Sequence, residues 1–151
     1  MIVQINKNQN ASQFYDALLE FIKKVDLYFE PPLSSRVSLE AFTHKLLEEA
    51  YVDTIIENNE ILAASAYYCT PLKFDYAFLS LVASLKRGSG RILVEHMIKN
   101  CKTLGAKGIE TQTWETNDKS LQLFQRFNFE KVSYVDNMNS SVKSILLKLR
   151  F

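Results

Sequence analysis

The sequence predicts an α/β fold, a mixed sheet carrying helices, and three observations point to it. Apolar residues recur with a period of two in some stretches and of three to four in others, in the order β-α-α-β-β-β-α-β-α-β-β. A single β-α-β unit, centred on residues 76–114, has a helix between its strands, while hairpin-like strand pairs lie on either side of it. The chain has 151 residues, 47% of them hydrophobic and 23% charged, enough for one domain, residues 1–151, with a substantial core.

Residues 1–5 alternate weakly and open the fold as a strand. From residue 11 the spacing turns helical, with Phe14, Leu18, Phe21, Ile22 and Val25 on one face. Asn10 is placed to cap this helix, with Gln13 reaching back in a capping box. Pro31 and Pro32 stop it by about residue 29 and make residues 29–36 a stiff loop. Ser38 caps a second helix whose Leu39, Phe42 and Leu46 face inward. Residues 51–56 and 61–69 read as strands joined through Asn58 and Asn59, which tolerate the left-handed angles of a tight hairpin.

Residues 76–82 form the central strand, followed by a glycine loop. The next helix has Leu93, Val94, Met97, Ile98, Cys101 and Leu104 on its inner face and Gly105 at its end. Residues 108–114 then alternate, Ile109, Thr111 and Thr113 against Glu110, Gln112 and Trp114. A last helix, 117–127, has Ser120, Leu123, Phe124 and Phe127 at helical spacing. Strands at 130–136 and 142–149, across a turn at 137–140, complete the chain.

Composition narrows the function classes. A net charge of +1, with no stripe of basic residues, argues against nucleic acid or an anionic membrane as partner. The apolar runs are too short to cross a bilayer, and the polar start is unlike a signal peptide, so a cytoplasmic protein is expected. Cys69 and Cys101 fall at apolar positions and read as buried thiols, with no metal site expected. His44 and His96 read as surface or boundary residues.

The chemistry concentrates in the glycine loop. Gly88 and Gly90 lie between an apolar strand and a helix N-terminus, whose free N–H groups and partial positive charge suit an anion. Lys86, Arg87 and Arg91 add full charges beside it. A phosphate or pyrophosphate is the ligand this favours, and a plain turn is the alternative. A dinucleotide fingerprint lacks its third glycine here, and a P-loop lacks its Gly-Lys-Ser/Thr.

Two blocks carry a family resemblance. The segment Lys86-Arg-Gly-Ser-Gly90-Arg-Ile-Leu is similar to a pyrophosphate loop of the form Gln/Arg-x-x-Gly-x-Gly/Ala. The segment from Trp114 and Glu115 through Asn117, Ser120 and Phe124 to Phe129 is similar to an Asn-x-x-Ala-x-x-x-Tyr-x-x-x-Gly-Phe block. With the element order, they make the chain resemble the GCN5-related N-acetyltransferases (GNAT). The resemblance implies the GNAT fold, with splayed fourth and fifth strands, and acetyl-CoA as cosubstrate. The thioester arm would pair with backbone of Leu81, Val82 and Ala83. The pyrophosphate would sit on the loop from Lys86 through Arg87, Gly88, Ser89 and Gly90 to Arg91. Asn117, Ser120 and Phe124 would face the pantetheine, and Asn117 could equally be an N-cap.

The chain departs from the family pattern in three places. The loop is short, with Leu85 where the pattern has Gln or Arg and no proline. Asn128 replaces a glycine, an exchange allowed because Asn enters the left-handed region. Phe124 stands where many relatives have a tyrosine that protonates the leaving thiolate.

The implied reaction is direct attack of a primary amine on the thioester, assisted by a base. Candidates for the base or its water are Glu110, Glu115, Ser80 and Tyr67 or Tyr68. The loop between the first two helices commonly walls the acceptor pocket in this fold, so Tyr28, Phe29 and Arg36, with Trp114 and Glu115, are candidate acceptor contacts. Residues 31–38 resemble small acetyltransferases with surface-polysaccharide roles, which implies an amino sugar or nucleotide-linked amino sugar. A non-catalytic acyl-CoA-binding module is the alternative, and a protein or polyamine acceptor is another. Edge strands of this fold often pair, so a homodimer is also conceivable.

Overall fold

The computed structural model describes residues 2–5, 11–137 and 140–151, the side chains of residues 11 and 12 excepted. The expected Asn10 cap and the middle of the 137–140 turn lie outside the described residues.

The strands are β1 (Ile2–Gln4), β2 (Tyr51–Glu57), β3 (Glu60–Tyr68), β4 (Tyr76–Ser84), β5 (Gly108–Trp114), β6 (Glu130–Val135) and β7 (Ser144–Arg150). The helices are α1 (Tyr15–Val25), α2 (Leu39–Glu49), α3 (Ser89–Leu104) and α4 (Asp118–Arg126). The seven strands form one sheet in the order β1-β2-β3-β4-β5-β7-β6. Only β4 and β5 run parallel. The element order follows the predicted one, with 3-10 turns at Ala11–Phe14 and Asp26–Tyr28 bracketing α1 where a continuous helix is expected.

Each face of the sheet carries its own core. Leu18, Phe21 and Ile22 of α1 and Leu46 of α2 pack on Val52, Ala64, Ala66 and Leu81. On the other face, Val94 and Met97 of α3 and Leu121 and Phe124 of α4 pack on Tyr67, Leu79, Ile109 and Leu147. The inner face of α4 is therefore centred on Leu121 and Phe124, while Ser120, Leu123 and Phe127 are half-buried at its margins.

Several local predictions hold for the reasons given. Ser38 accepts from the Ala41 N–H at 3.2 Å as the cap of α2. Asn58 and Asn59 take φ of 51° and 62°, as a type I′ hairpin requires of both central residues. Asn128 takes φ of 69°, the conformation that makes the exchange for glycine tolerable.

The feature that positions the site is a break in β4. Ala66 pairs with Leu81 and Tyr67 with Leu79, so Ser80 has no partner on β3 and forms a bulge. A bulge adds a residue to one strand, bends it and increases its twist. One consequence is that Leu79 and Leu81, two apart, bury themselves on opposite faces of the sheet. The other is that β4 pairs with β5 only as far as Leu79 and Thr111, and beyond this the strands separate.

Candidate active site

The gap between the separating strands is a cleft of about 360 Å³, at the lower end of the range for small-molecule sites. It passes through the sheet, so both helical layers line it. One side is formed by Ser80, Leu81 and Val82 of β4 with Asn117, Ser120 and Phe124 at α4. The other side is formed by the segment between α1 and α2, which brings Phe29, Glu30, Leu33, Arg36 and Val37 against Phe78 and Trp114.

Past residue 79 the edge of β4 turned towards β5 has no strand partner, so its N–H and C=O groups are open to a ligand. Extended ligands use such an edge by continuing the ladder. The bulge at Ser80 provides that edge.

At the end of β4, Leu85 N–H still bonds Leu62 C=O at 2.7 Å before the chain turns. The Ser84 hydroxyl closes the turn, accepting from Lys86 N–H at 3.0 Å and donating to Lys86 C=O. Gly88 then precedes α3 with φ of 85°, and no side chain caps the helix. The N–H groups of a first helical turn have no partner within the helix, and such an end of a 16-residue helix suits an anion. The charged residues around it differ in their engagement. Lys86 is ion-paired with Glu57 across the β2–β3 hairpin, whereas Arg87 and Arg91 are exposed with no ion pair among the described residues. Gly90 has another role. A Cβ there would press on Leu123 of α4 at 3.3 Å, so its smallness lets α3 and α4 approach.

Asn117 caps α4 as expected and also lines the cleft. Its Oδ1 accepts from Ser120 N–H at 3.3 Å as the cap of α4, and its Nδ2 donates to Thr113 Oγ1 at 3.0 Å and Ser120 Oγ at 2.8 Å. This fixes the side chain at the cleft wall. Phe124, two turns further on, is 2% exposed and packs on Phe129 with ring centroids 5.2 Å apart.

Of the candidate catalytic residues, only Ser80 reaches the cleft. Glu110 lies beside the paired part of β4 and β5, opposite Phe78, and is ion-paired with Lys148 at 3.6 Å. Tyr67 points into the α3 layer and is fully buried. Its hydroxyl donates to Asp53 Oδ2 at 2.8 Å and accepts from Asn100 Nδ2 at 2.8 Å. Burial, reinforced by the Asp53 carboxylate, pushes this phenol far above its usual range. Tyr68 packs in the α1/α2 layer under Lys45, and Glu115 is an exposed residue outside the cleft whose N–H bonds Lys143 C=O at 2.7 Å. His96 approaches the buried Asp53 at 3.7 Å, and His44 lies against the Tyr15 ring at 4.2 Å.

Of the acceptor candidates, Phe29, Arg36 and Trp114 line the cleft, while Tyr28 is 59% exposed and does not line it. Sequence reasoning placed the α1–α2 loop at the acceptor pocket but did not name Glu30, Leu33 or Val37 as lining, nor Phe42 of α2, which it read as a core residue. It also missed what holds that segment. Asp26, 8% exposed, accepts from Ser34 N–H at 2.8 Å and Ser34 Oγ at 2.5 Å and so pins the loop across the Glu30–Pro31 cis bond. An aspartate eight residues before a serine has no local signature.

No family model matches the sequence, and no curated protein matches it. Solved structures do match in fold. A probable acetyltransferase from Staphylococcus epidermidis superposes with a TM-score of 0.79 at 16% identity, over 99% of this chain and 98% of that one. The ribosomal-protein-S18-alanine N-acetyltransferase from Escherichia coli gives 0.76 at 17% identity, over 99% and 92%. Arabidopsis thaliana NAA60 in complex with acetyl-CoA gives 0.77 at 10% identity, over 100% and 98%. The chain therefore has the fold of the GNAT acetyltransferases, as its resemblance in sequence implied. Among the described residues no cluster of side chains could hold a metal ion, and no helix is long and apolar enough to cross a membrane.

Proposed function

We propose that the protein is an acetyl-CoA-dependent N-acetyltransferase that modifies a primary amine of a small acceptor, working in the cytoplasm. The observation that carries the reading is the bulge at Ser80, which frees the edge of β4 beside an uncapped helix N-terminus. An extended amide-bearing arm ending in a pyrophosphate matches that pairing of features. The fold neighbours support it, since one of them is solved with acetyl-CoA.

In this reading the arm pairs with the backbone of Leu81, Val82 and Ala83, against Asn117, Ser120 and Phe124. The pyrophosphate lies on the N–H groups from Gly88 to Arg91, with Arg87 and Arg91 as the counter-charges. The acceptor enters from the α1–α2 side. Its amine attacks the thioester carbonyl, whose oxygen is polarised by a β4 N–H, and Ser80 holds a water that relays the proton. With Phe124 at the tyrosine position, the thiolate leaves without a dedicated acid. That is chemically feasible near neutrality, since an unperturbed thiol has a pKa of about 8.5.

Titration calorimetry with acetyl-CoA, followed by thiol release with a panel of amines, tests the proposal. Binding with amine-dependent release supports it, and the absence of binding removes it. Binding without release from any amine would favour the acyl-CoA-binding module.

A further inference from the structure

The acceptor side of the cleft has a composition that limits what it can hold. Phe29, Leu33, Val37 and Trp114 give it apolar and aromatic surface. Two charged side chains stand among them, Glu30 and Arg36, and Glu30 is the only carboxylate on the cleft wall among the described residues. Both are exposed, and neither has an ion-pair partner among the described residues, so each can turn to a ligand at the cleft mouth. The wall is also held in place. Asp26 clamps Ser34 between the two charges, and the Phe29 ring meets Trp114 edge-on at 5.6 Å.

We propose that the acceptor is a free amino acid with an apolar side chain, its ammonium met by Glu30 and its carboxylate by Arg36. The proposal rests on the N-acetyltransferase reading and names the acceptor for it. A guanidinium can grip a carboxylate through two parallel hydrogen bonds, which a hydroxyl or an amide cannot reproduce. An amino sugar offers an ammonium and hydroxyls but no carboxylate for Arg36. A peptide N-terminus offers an ammonium but no adjacent carboxylate, and so leaves Arg36 unused.

The step balances with the groups present. The ammonium gives one proton to Glu30, and the free amine adds to the thioester carbonyl. The C–S bond breaks as the amide forms, and the second surplus proton of the nitrogen ends on the departing thiolate, giving the N-acetyl amino acid and CoA.

The test uses the whole protein, acetyl-CoA and five acceptors: phenylalanine, phenylalanine amide, phenethylamine, glucosamine and a peptide beginning with phenylalanine. Calorimetric binding of acetyl-CoA is measured first, so that loss of the cosubstrate site is seen separately. The expected result is a kcat/KM for phenylalanine at least tenfold above the other four. Arg36→Gln should raise KM for phenylalanine at least tenfold and leave that for phenethylamine unchanged, a discrimination a merely structural role would not produce. Glu30→Gln should lower kcat/KM for both. Equal use of the amide or the peptide, preference for glucosamine, or an Arg36→Gln effect common to all amines would each overturn the proposal. So would acetyl-CoA binding with no turnover of phenylalanine, which leaves the cosubstrate reading standing. Failure to bind acetyl-CoA would overturn both.

Discussion

The ring of Phe29 meets that of Trp114 edge-on, with centroids 5.6 Å apart, and so ties the α1–α2 segment to the free end of β5. The contact spans the opening that the bulge at Ser80 creates. Aromatic pairs of this geometry contribute about 0.5–1.5 kcal/mol beyond the area they bury. Phe29→Ala should therefore raise KM for the acceptor by roughly tenfold while leaving acetyl-CoA affinity unchanged. Steady-state kinetics beside calorimetry separates the two.

Gly88 and Gly90 should respond differently to substitution. Gly88 has φ of 85°, and a Cβ there would meet nothing within 4 Å, so Gly88→Val acts through backbone strain alone. A left-handed residue with a side chain costs about 1–2 kcal/mol, and relief of that strain would re-aim the loop amides. Acetyl-CoA binding should be lost in a folded protein, as read by calorimetry and circular dichroism. Gly90→Val should instead push on Leu123 of α4 and lower the melting temperature as well.

Phe124→Tyr should keep the fold and the affinity for acetyl-CoA, since the side chain already lies buried against Phe129 beside the cleft. A rise in kcat with affinity unchanged would show that the missing acid limits the reaction. An unchanged kcat would show that thiolate departure is not limiting.

Asp26→Ala should release Ser34 and with it the acceptor wall. Hydrogen bonds to a charged group contribute about 1.5–3 kcal/mol each, and this carboxylate receives two. Because Ser34 is exposed and water can replace part of these bonds, a loss of about 2–3 kcal/mol in denaturant unfolding is expected, with acceptor KM raised more than acetyl-CoA affinity is reduced.

The protein should lose stability in alkali. Burial raises the Cys101 thiol and the Tyr67 phenol well above their ordinary values of 9.0 and 10.0. The unfolded chain then sheds these protons first. Stability is complete below about pH 9 and falls as the pH rises beyond it, because the native state binds more protons there. Melting temperatures from pH 7 to 10.5 should show the decline, and Cys101→Ala should make it shallower.

How much of the site was legible follows from how local each signal is. The glycine loop, the Asn117 cap and the asparagine hairpin were readable because each is a backbone conformation that few residue types adopt. Arg36, Phe29 and Trp114 could be named as candidates, but not their meeting. Glu30, Leu33 and Val37 lie in or beside the loop expected at the acceptor pocket, yet nothing local marked them as lining, and Glu110 looked available for chemistry until its strand position placed it beside Lys148, away from the opening.

Periodicity, caps and turn residues were enough to determine the order of strands and helices and the open N-terminus of α3, since these depend on neighbours a few positions apart. The tertiary structure decided where the sheet opens and what lines the opening. The bulge at Ser80 exists only in the register of β3 against β4, and the wall exists only because Asp26 and Trp114 hold a segment distant from β5 in sequence. Such pairings are settled by packing across the whole chain, and no single stretch of sequence encodes them.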